Sequence, residues 1–469
     1  MPSQTGSDRK TESSTAYHRS PDKSVAPDGF ARTTAKFASG KGVLITALFI
    51  VSILVVFALV YYYRLIFIAF NIFSLYVFMT YLVMWQEGAS KETLPPKPQK
   101  WPSVTLLIPS FNSGHTIFAC VDACKKLEYP GKKEIIVVDD GSTDGSYEQL
   151  KSVQGISLLR KEKNSGKAAA LNLGIANSSS DIVGCIDSDT YPEAHALENA
   201  IRYFEADKKV GSVAAFICVH EPKNLLAQMQ EVEYWLSFGF FFKTNSYMDG
   251  LYVNPGPMSL YRRQVFEQLG GFDETNITED MEIALRMQKN GWKLKTYHSA
   301  IAYTDVPTTL RSLLRQRIRW FRGGIMNVLK YNELFFNPKH NRLGLFVMPA
   351  IMVSGLLTAL FIFWYLLVMI KNVLLYSIAA AANPEMIVAT LSSFRFPGIF
   401  SFDSMFLFTL GAIVLWFYFL SRGIGLSHSK LGVHTILPVL MLISFYPVFI
   451  GIAYFLSYAY EFLGKDYNW

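Results

Sequence analysis

The chain has 469 residues, of which 51% are hydrophobic and 15% aromatic, and its formal net charge is +7. This apolar content is high for a soluble protein and indicates membrane spans. No stripe of basic and stacking residues accompanies the positive charge, so the sequence favours anionic lipid headgroups as partners and excludes nucleic acid.

Two charge-free segments, residues 42–63 and 65–86, follow a polar N-terminal tail. Each is long enough to supply the ~20 apolar residues that cross a bilayer. Arg64 lies between them and suits an interfacial turn, so we predict a transmembrane hairpin over 42–86. Residues 1–41 are rich in Ser, Thr, Lys and Arg and predict a disordered cytoplasmic tail. The length of this tail argues against a signal peptide.

Three further charge-free segments, at 343–370, 404–421 and 432–460, predict a C-terminal transmembrane region over 343–460. The stretch between Lys371 and Asp403 is apolar but broken in its middle, and it reads as a re-entrant segment, an interfacial segment or a sixth span. With five spans the basic flanking residues fall on one side. The positive-inside rule then predicts a multi-pass plasma-membrane protein whose central domain is cytoplasmic.

Short apolar runs alternate with helical periodicities between residues 103 and 219. This alternation predicts an α/β layered domain with a largely parallel sheet. Ligands of such open sheets bind beyond the carboxyl ends of the strands. The predicted strands are 104–109, 134–139, 181–186 and 210–219, and the predicted helices are 114–127, 167–177 and 193–204.

Acidic pairs occur at the ends of two predicted strands. Asp139 and Asp140 end one of them, and Asp187 with Asp189 follows the next. The first pair is also compatible with an ordinary turn, because Asp, Gly, Ser and Thr are common turn formers. The second pair offers hard oxygen ligands that suit Mg²⁺ or Mn²⁺ bound to substrate phosphates.

Lys167 follows a Gly at the start of an alanine-rich helix. The Walker spacing is absent, which argues against an ATPase. The lysine is therefore either a donor-binding group or an exposed capping residue. Cys120 and Cys124 lie one helical turn apart without further ligand-type residues nearby, and they are predicted to be core residues.

A loop and a third polar motif follow the last predicted strand. Residues 254–257 contain two prolines and a glycine and predict a fixed loop, either structural or lining a binding site. Thr278, Glu279 and Asp280 open a predicted helix. A Thr cap with acids in the first turn is also what any helix start prefers, so capping is a competing explanation.

A fourth motif, Gln-Arg-Ile-Arg-Trp, begins at Gln316. Gln316, Arg319 and Trp320 occur at i, i+3 and i+4 and share one face of an amphipathic helix over 308–330. Such a helix suits the membrane surface, as does a second one over 224–242. A basic interfacial helix explains the arginines but not the Gln and Trp together.

These four polar motifs, in this order, resemble those of the processive membrane-bound family 2 glycosyltransferases, the group of cellulose, chitin, hyaluronan and poly-N-acetylglucosamine synthases. The resemblance implies an α/β GT-A type catalytic domain over 100–306. This domain would be inserted between two N-terminal and about three C-terminal transmembrane helices. Residues 307–342 would form an interfacial region that carries the Gln-Arg-Ile-Arg-Trp motif.

The resemblance also implies residue roles. Asp280 would be the catalytic base with Glu279 as its neighbour, and Asp187 and Asp189 would hold the metal. Many relatives have a glutamate where this chain has Ser113, which bears on the choice of nucleotide. The implied donor-binding residues are Asp139, Asp140, Lys167, Asp187, Gln316, Arg317, Arg319 and Trp320, and the implied acceptor-binding residues are Gly256, Pro257 and Trp320.

The implied function is inverting, metal-dependent transfer of a sugar, foremost N-acetylglucosamine, from a UDP-sugar to a growing β-linked polysaccharide that is exported. The implied cofactor is Mg²⁺ or Mn²⁺. The implied partners are the UDP-sugar, the polysaccharide and membrane lipids, and accessory envelope proteins are left open. Two alternatives are a non-processive transferase acting on a lipid acceptor and an export scaffold with a degenerate catalytic domain.

Overall fold

The computed structural model describes residues 63–385, 392, 404–427 and 432–465. The predicted tail 1–41 and nearly all of the first predicted span, 42–63, lie outside the described residues. Residues 386–403 belong to the stretch for which a sixth span is one of the alternatives, and most of them also lie outside the described residues.

Eight strands form one sheet. They are β1 Val104–Ser110, β2 Lys133–Asp139, β3 Ser157–Arg160, β4 Ile182–Cys185, β5 Thr190–Pro192, β6 Val210–Val219, β7 Ser259–Arg262 and β8 Lys293–Thr304. Their order in the sheet is β3-β2-β1-β4-β7-β6-β8-β5. The four predicted strands are β1, β2, β4 and β6, and each is confirmed to within one residue at either end.

The sheet is mixed rather than largely parallel. Strands β3, β2, β1 and β4 are parallel to one another, as are β6 and β8. Strand β7 is antiparallel to both β4 and β6, and β5 is antiparallel to β8. The sequence pattern missed this reversal because β7 has only four residues, which is too short for an alternating pattern to be distinctive.

Fourteen helices are labelled here in chain order, within the described residues. They are α1 Tyr63–Ala89, α2 Thr116–Lys126, α3 Ser146–Leu150, α4 Lys167–Ala176, α5 Ala196–Ala206, α6 Leu225–Leu236, α7 Lys243–Tyr247, α8 Arg263–Leu269, α9 Glu279–Lys289, α10 Leu310–Lys330, α11 Met348–Ala382, α12 Ser404–Ser427, α13 Ile436–Ser444 and α14 Tyr446–Phe462. A π-helical segment, Ser237–Phe242, joins α6 to α7, and another, Leu343–Val347, precedes α11. The predicted helices 114–127, 167–177 and 193–204 correspond to α2, α4 and α5.

Both faces of the sheet are covered by helices. Leu106 and Ile108 of β1 pack in one core with α2 and α5, whereas Leu107 packs in a second core with α4 and α9. This alternation follows from the two-residue period of a strand. Cys120 and Cys124 are fully buried in the first core, which confirms their prediction as core residues.

Several described helices are long and apolar enough to cross a membrane. Three qualify singly, Ile68–Ala89, Leu343–Ala382 and Leu410–Ser427, and the pair Val433–Ser444 and Tyr446–Phe462 qualifies together with a bend of 43°. The bend lies beside Pro447, which cannot donate the helical hydrogen bond. These helices coincide with the charge-free segments that follow Arg64. The number of spans and the cytoplasmic orientation stay predictions.

The π-helical segment Ser237–Phe242 docks the sheet domain on α12 by close backbone contact. A Cβ atom on Gly239 would lie 2.6 Å from the Cα of Gly423, and one on Gly423 would lie 1.9 Å from the carbonyl oxygen of Trp235. Beside this contact the rings of Phe240 and Phe419 stack with their centroids 4.1 Å apart. The two glycines therefore allow an approach that any side chain would prevent.

The Gly423→Ala substitution is expected to lower stability. The added methyl group meets backbone atoms that cannot move away, so a loss of about 1–3 kcal/mol is expected, as in other overpacked cores. Gly425→Ala is the matched control on the same helix, because its methyl group would enter open space. Thermal unfolding in detergent should give a lower Tm for Gly423→Ala alone. Equal Tm values for the two variants would contradict the close packing.

Candidate active site

Lys167, the first residue of α4, joins two acidic motifs. Its Nζ lies 2.5 Å from Asp187 Oδ1, just beyond β4, and 3.1 Å from Glu279 Oε1 at the start of α9. Burial opposes the charge on this lysine, but Asp187, Glu279 and Asp280 together raise its pKa. Lys167 is therefore an ion-paired residue of the site and not an exposed capping lysine.

The predicted loop with two prolines lies against this ion pair. A Cβ atom on Gly256 would lie 2.5 Å from both Asp187 Oδ2 and Lys167 Nζ, so a side chain at this position would displace the ion pair. The backbone N–H of Asn254, which precedes Pro255 and Pro257 in this loop, donates to the carbonyl oxygen of Asp280 at 3.2 Å. The loop therefore contacts both acidic motifs, and its acceptor-binding role stays a prediction.

Asp280 is a carboxyl group with a pKa near neutrality. Burial and the charge of Glu279 raise its pKa to about 7, against the opposing charges of Lys167 and Arg319. Its Oδ1 accepts a 2.8 Å hydrogen bond from the backbone N–H of Met281. A carboxylate with such a pKa can accept a proton at physiological pH, which is the property expected of a general base.

The capping explanation for Thr278 is not supported. Its side chain makes no capping hydrogen bond to α9. Instead, Asn327 Nδ2 of α10 donates to Thr278 Oγ1 at 2.9 Å, and a Cβ atom on Gly323 would lie 2.2 Å from the same oxygen. Thr278 therefore links the start of α9 to the helix that carries the Gln-Arg-Ile-Arg-Trp motif.

Asp189 belongs to a cluster of acidic residues, of which the sequence predicted Asp187 and Asp189 but not Asp305. Burial raises the pKa of Asp189 to about 7, and the charges of Asp187 and Asp305 add to the shift. Asp305 also accepts a hydrogen bond from the Tyr191 hydroxyl at 3.0 Å and lies 3.0 Å from His220 Nδ1. Asp305 directly follows β8, so it could have been found as an acid at a strand end had that strand been predicted.

The Asp187 and Asp189 pair fits a divalent cation, although the described residues contain no cluster of three or more His, Cys, Asp or Glu side chains arranged to hold a metal. Mg²⁺ commonly binds one or two carboxylates and completes its coordination with water and substrate phosphates. Burial and repulsion from neighbouring carboxylates both disfavour the charged form of Asp189, and a bound cation would favour it.

The Asp139 and Asp140 pair lies where β2 ends in a turn, and the two acids differ. Asp140 accepts a 2.8 Å hydrogen bond from the backbone N–H of Gly166 and so supports the loop before Lys167. Asp139 is fully buried and accepts one bond from Ser142 N at 3.2 Å, but its Oδ1 has no hydrogen-bond partner in the described structure. Because an unpaired buried acceptor is costly, Asp139 is the member of the pair suited to a ligand donor.

Ser113 connects the end of β1 to the segment that carries Asp187 and Asp189. It accepts a hydrogen bond from Ser110 Oγ at 3.2 Å and donates one to Ser188 Oγ at 2.9 Å. Ser188 lies between the two metal-site aspartates. The hydroxyl therefore connects the end of β1 to the predicted metal site.

The two arginines of the last motif have different environments. Arg317 is 1% exposed, its Nη2 lies 2.6 Å from Glu233 Oε2, and its Nε donates to the Tyr446 hydroxyl at 2.9 Å. The same hydroxyl donates to Glu233 Oε1 at 2.5 Å. Arg317 is therefore occupied by α6 and α14, whereas Arg319 lies close enough to Asp280 to affect its pKa.

Arg317 in turn orients its two neighbours in the motif. Its Nη1 donates to Gln316 Oε1 at 2.8 Å, and its guanidinium lies 4.1 Å from the centroid of the Trp320 ring. We therefore revise its predicted donor-binding role. In this structure Arg317 positions Gln316 and Trp320, and Arg319 is the arginine suited to a diphosphate.

Comparison with known proteins gives one family match and several similar sequences. Residues 105–270 match glycosyl transferase family 2. The poly-beta-1,6-N-acetyl-D-glucosamine synthase of Staphylococcus aureus (strain COL) is 29% identical over 266 residues, which are 56% of this chain and 64% of that protein. The synthase of the same name from Staphylococcus epidermidis is 27% identical over 284 residues, 60% of this chain and 68% of that protein. The chain thus spans just under two thirds of the first relative.

The fold also has a solved counterpart. A mannosyltransferase from Pyrobaculum calidifontis, solved in complex with GDP-Man and Mn²⁺, superimposes with a TM-score of 0.51 and 21% identity. The superposition covers 81% of this chain and 98% of that one. The mixed sheet, together with the family match, is consistent with a GT-A domain.

Removal of the partner of Arg317 should destabilise the protein. Glu233→Gln leaves a buried guanidinium without its counterion, and a loss of about 3 kcal/mol is expected from comparable buried pairs. Glu231→Gln, two residues earlier on α6, is the matched control, because burial raises the pKa of Glu231 and neutralising it removes no ion pair of the described structure. Thermal unfolding should separate the two variants. Similar melting temperatures would show that the Arg317 contacts contribute little.

Proposed function

We propose that this chain, whose residues 105–270 match glycosyl transferase family 2, transfers a hexosyl group from a nucleoside diphosphate sugar to a growing polysaccharide. The observation that carries the proposal is the ion pairing of Lys167 with Asp187 and Glu279. This contact gathers the metal-site motif and the Asp280 motif at one point beyond the strand ends. That position is where open α/β sheets bind ligands.

Asp280 is proposed as the general base. It would accept the proton of an acceptor hydroxyl while that oxygen attacks the anomeric carbon and the bond to the diphosphate breaks. A single displacement of this kind inverts the anomeric configuration. Glu279 supports the base indirectly, because its charge contributes to the raised pKa of Asp280.

The donor would be held from several sides. Asp139 offers its unpaired oxygen to the nucleoside, and the Arg319 guanidinium is suited to two diphosphate oxygens. A Mg²⁺ or Mn²⁺ ion held by Asp187 and Asp189 would supply charge neutralisation of the leaving diphosphate. Lys167 keeps the Asp187 carboxylate in place beside Gly256.

The acceptor would lie between the Gly256 loop and the last motif. Pro257 stiffens that loop, and Trp320, stacked on Arg317, offers an aromatic face of the kind that packs on sugar rings. Gln316 contributes its amide N–H groups, since its carbonyl oxygen is already bonded to Arg317. Arg317 thus acts on the acceptor through its neighbours.

N-acetylglucosamine is the proposed sugar and UDP the proposed carrier. Support comes from the two staphylococcal relatives, which are poly-beta-1,6-N-acetyl-D-glucosamine synthases. Synthesis by a cytoplasmic domain and export through the plasma membrane are proposed from the apolar helices that pack on the domain. Membrane lipids and accessory envelope proteins are the further proposed partners.

Incubation of the purified full chain with radiolabelled UDP-N-acetylglucosamine and Mg²⁺ tests the proposal. The expected product is a ladder or a high-mass polymer that is lost on chelation with EDTA, because the Asp187 and Asp189 site then lacks its cation. One-sugar lipid products without a ladder would identify a non-processive transferase. The absence of turnover with any nucleotide sugar would favour an export scaffold.

The pH profile of polymer synthesis should report Asp280. A base must be unprotonated, so with a pKa of about 7 the rate should be constant above neutrality and fall about tenfold per unit below it. Asp280→Asn should lower the rate at least about 100-fold and abolish this acidic limb. Asp122→Asn, at an exposed residue of α2, is the control and should retain both the full rate and the acidic limb of the pH profile. An unchanged limb in Asp280→Asn would assign the titration to another group.

A further inference from the structure

A second cavity, of about 290 Å³, shares no lining residue with the candidate active site. It is lined by the C-terminal end of α1, the segment after it, α7, β8 and Arg342. Two candidate membrane spans, Ile68–Ala89 and Leu343–Ala382, end or begin at this cavity. Their polar ends place it at the depth where lipid headgroups lie.

Cations predominate in the cavity wall. The charged lining residues are Lys91, Lys243, Lys295, Arg342, Glu87 and Glu92. Lys295 Nζ lies 2.6 Å from Asp249 Oδ1, although Asp249 does not line the cavity. When Asp249 is included, the cations still outnumber the carboxylates by four to three. Glu87 pairs with both Lys91, at 3.0 Å, and Arg342, at 3.6 Å, and Glu92 pairs with Lys243, so the ion pairs leave one positive charge in excess. The cavity therefore favours an anion.

The inner wall of the cavity is built from buried polar groups. Lys243 is 1% exposed and donates to the carbonyl oxygen of Thr296 at 2.8 Å. Thr296 is 2% exposed, and its hydroxyl has no hydrogen-bond partner among the described residues. A buried donor without a partner is rare in folded proteins and suits an acceptor oxygen of a bound group.

An apolar stripe leads along α1 to this cavity. Its members repeat every three or four residues on one helix face and are between 38% and 58% exposed: Ile68, Ile72, Tyr76, Met79 and Val83. The next position at that spacing is Glu87, which lines the cavity. A ligand with an anionic head and a hydrocarbon tail would match both surfaces at once.

We infer that this cavity binds the phosphate headgroup of an anionic phospholipid, with an acyl chain along the stripe on α1. The cations supply the attraction for the phosphate, and basic pockets at the ends of membrane helices are known to bind such headgroups. The apolar stripe favours a lipid over free phosphate. The inference does not depend on the proposed glycosyl transfer.

The full chain in neutral detergent can be titrated calorimetrically with dioctanoyl phosphatidylglycerol, dioctanoyl phosphatidylcholine and inorganic phosphate. Saturable binding is expected to be tightest for phosphatidylglycerol. Lys91→Gln and Arg342→Gln should each weaken it about fivefold, as expected for one interfacial cation. Lys126→Gln is the matched control, because Lys126 pairs with Asp122 at the same four-residue spacing as Lys91 with Glu87.

Thermal unfolding checks that Lys91→Gln and Arg342→Gln still fold. Both are expected to fold because their side chains are largely exposed, 69% for Lys91 and 47% for Arg342. Equal phosphatidylglycerol affinity in all three variants would overturn the assignment. Equal affinity for phosphatidylcholine would show a purely apolar site. Inorganic phosphate binding as tightly as the lipid would show a free-phosphate site, and either result would reject the inference.

Discussion

The arrangement of the site depends on one cation among several carboxylates. Asp187, Asp189, Glu279 and Asp280 could not be gathered in a partly buried cleft without compensation, because like charges in low dielectric repel strongly. Lys167 supplies part of it through direct contacts with Asp187 and Glu279. The raised pKa of Asp280 shows that the compensation is incomplete. That residual repulsion is compatible both with a proton-accepting base and with a bound divalent cation.

A second constraint is the placement of α10 against the domain. The close approach of Gly323 to Thr278 joins this helix to the start of α9. The contacts of Arg317 with Glu233 and Tyr446 join it to α6 and α14. The helix is therefore fixed from both the sheet domain and the apolar helices. Side chains that project from it toward the cleft depend on both regions for their position.

Two contacts illustrate how the sheet domain is coupled to the apolar helices. At the π-helical segment the coupling is close backbone packing between Gly239 and Gly423. At the end of α1 it is electrostatic, through Lys243 and Glu92 inside a cationic cavity. Backbone packing tolerates little change, whereas a charged cavity can respond to a ligand.

The sequence alone determined features that depend on neighbouring residues. Strand and helix periodicity located β1, β2, β4, β6 and their helices, and acids at strand ends located two of the polar motifs, because side-chain period and turn chemistry are local. The tertiary structure decided what depends on distant partners. Only pairing in space made β7 antiparallel, brought Asp305 to Asp189, and separated the buried Arg317 from Arg319. These two arginines are two residues apart and chemically identical, so only Glu233 and Tyr446, supplied by other helices, distinguish them.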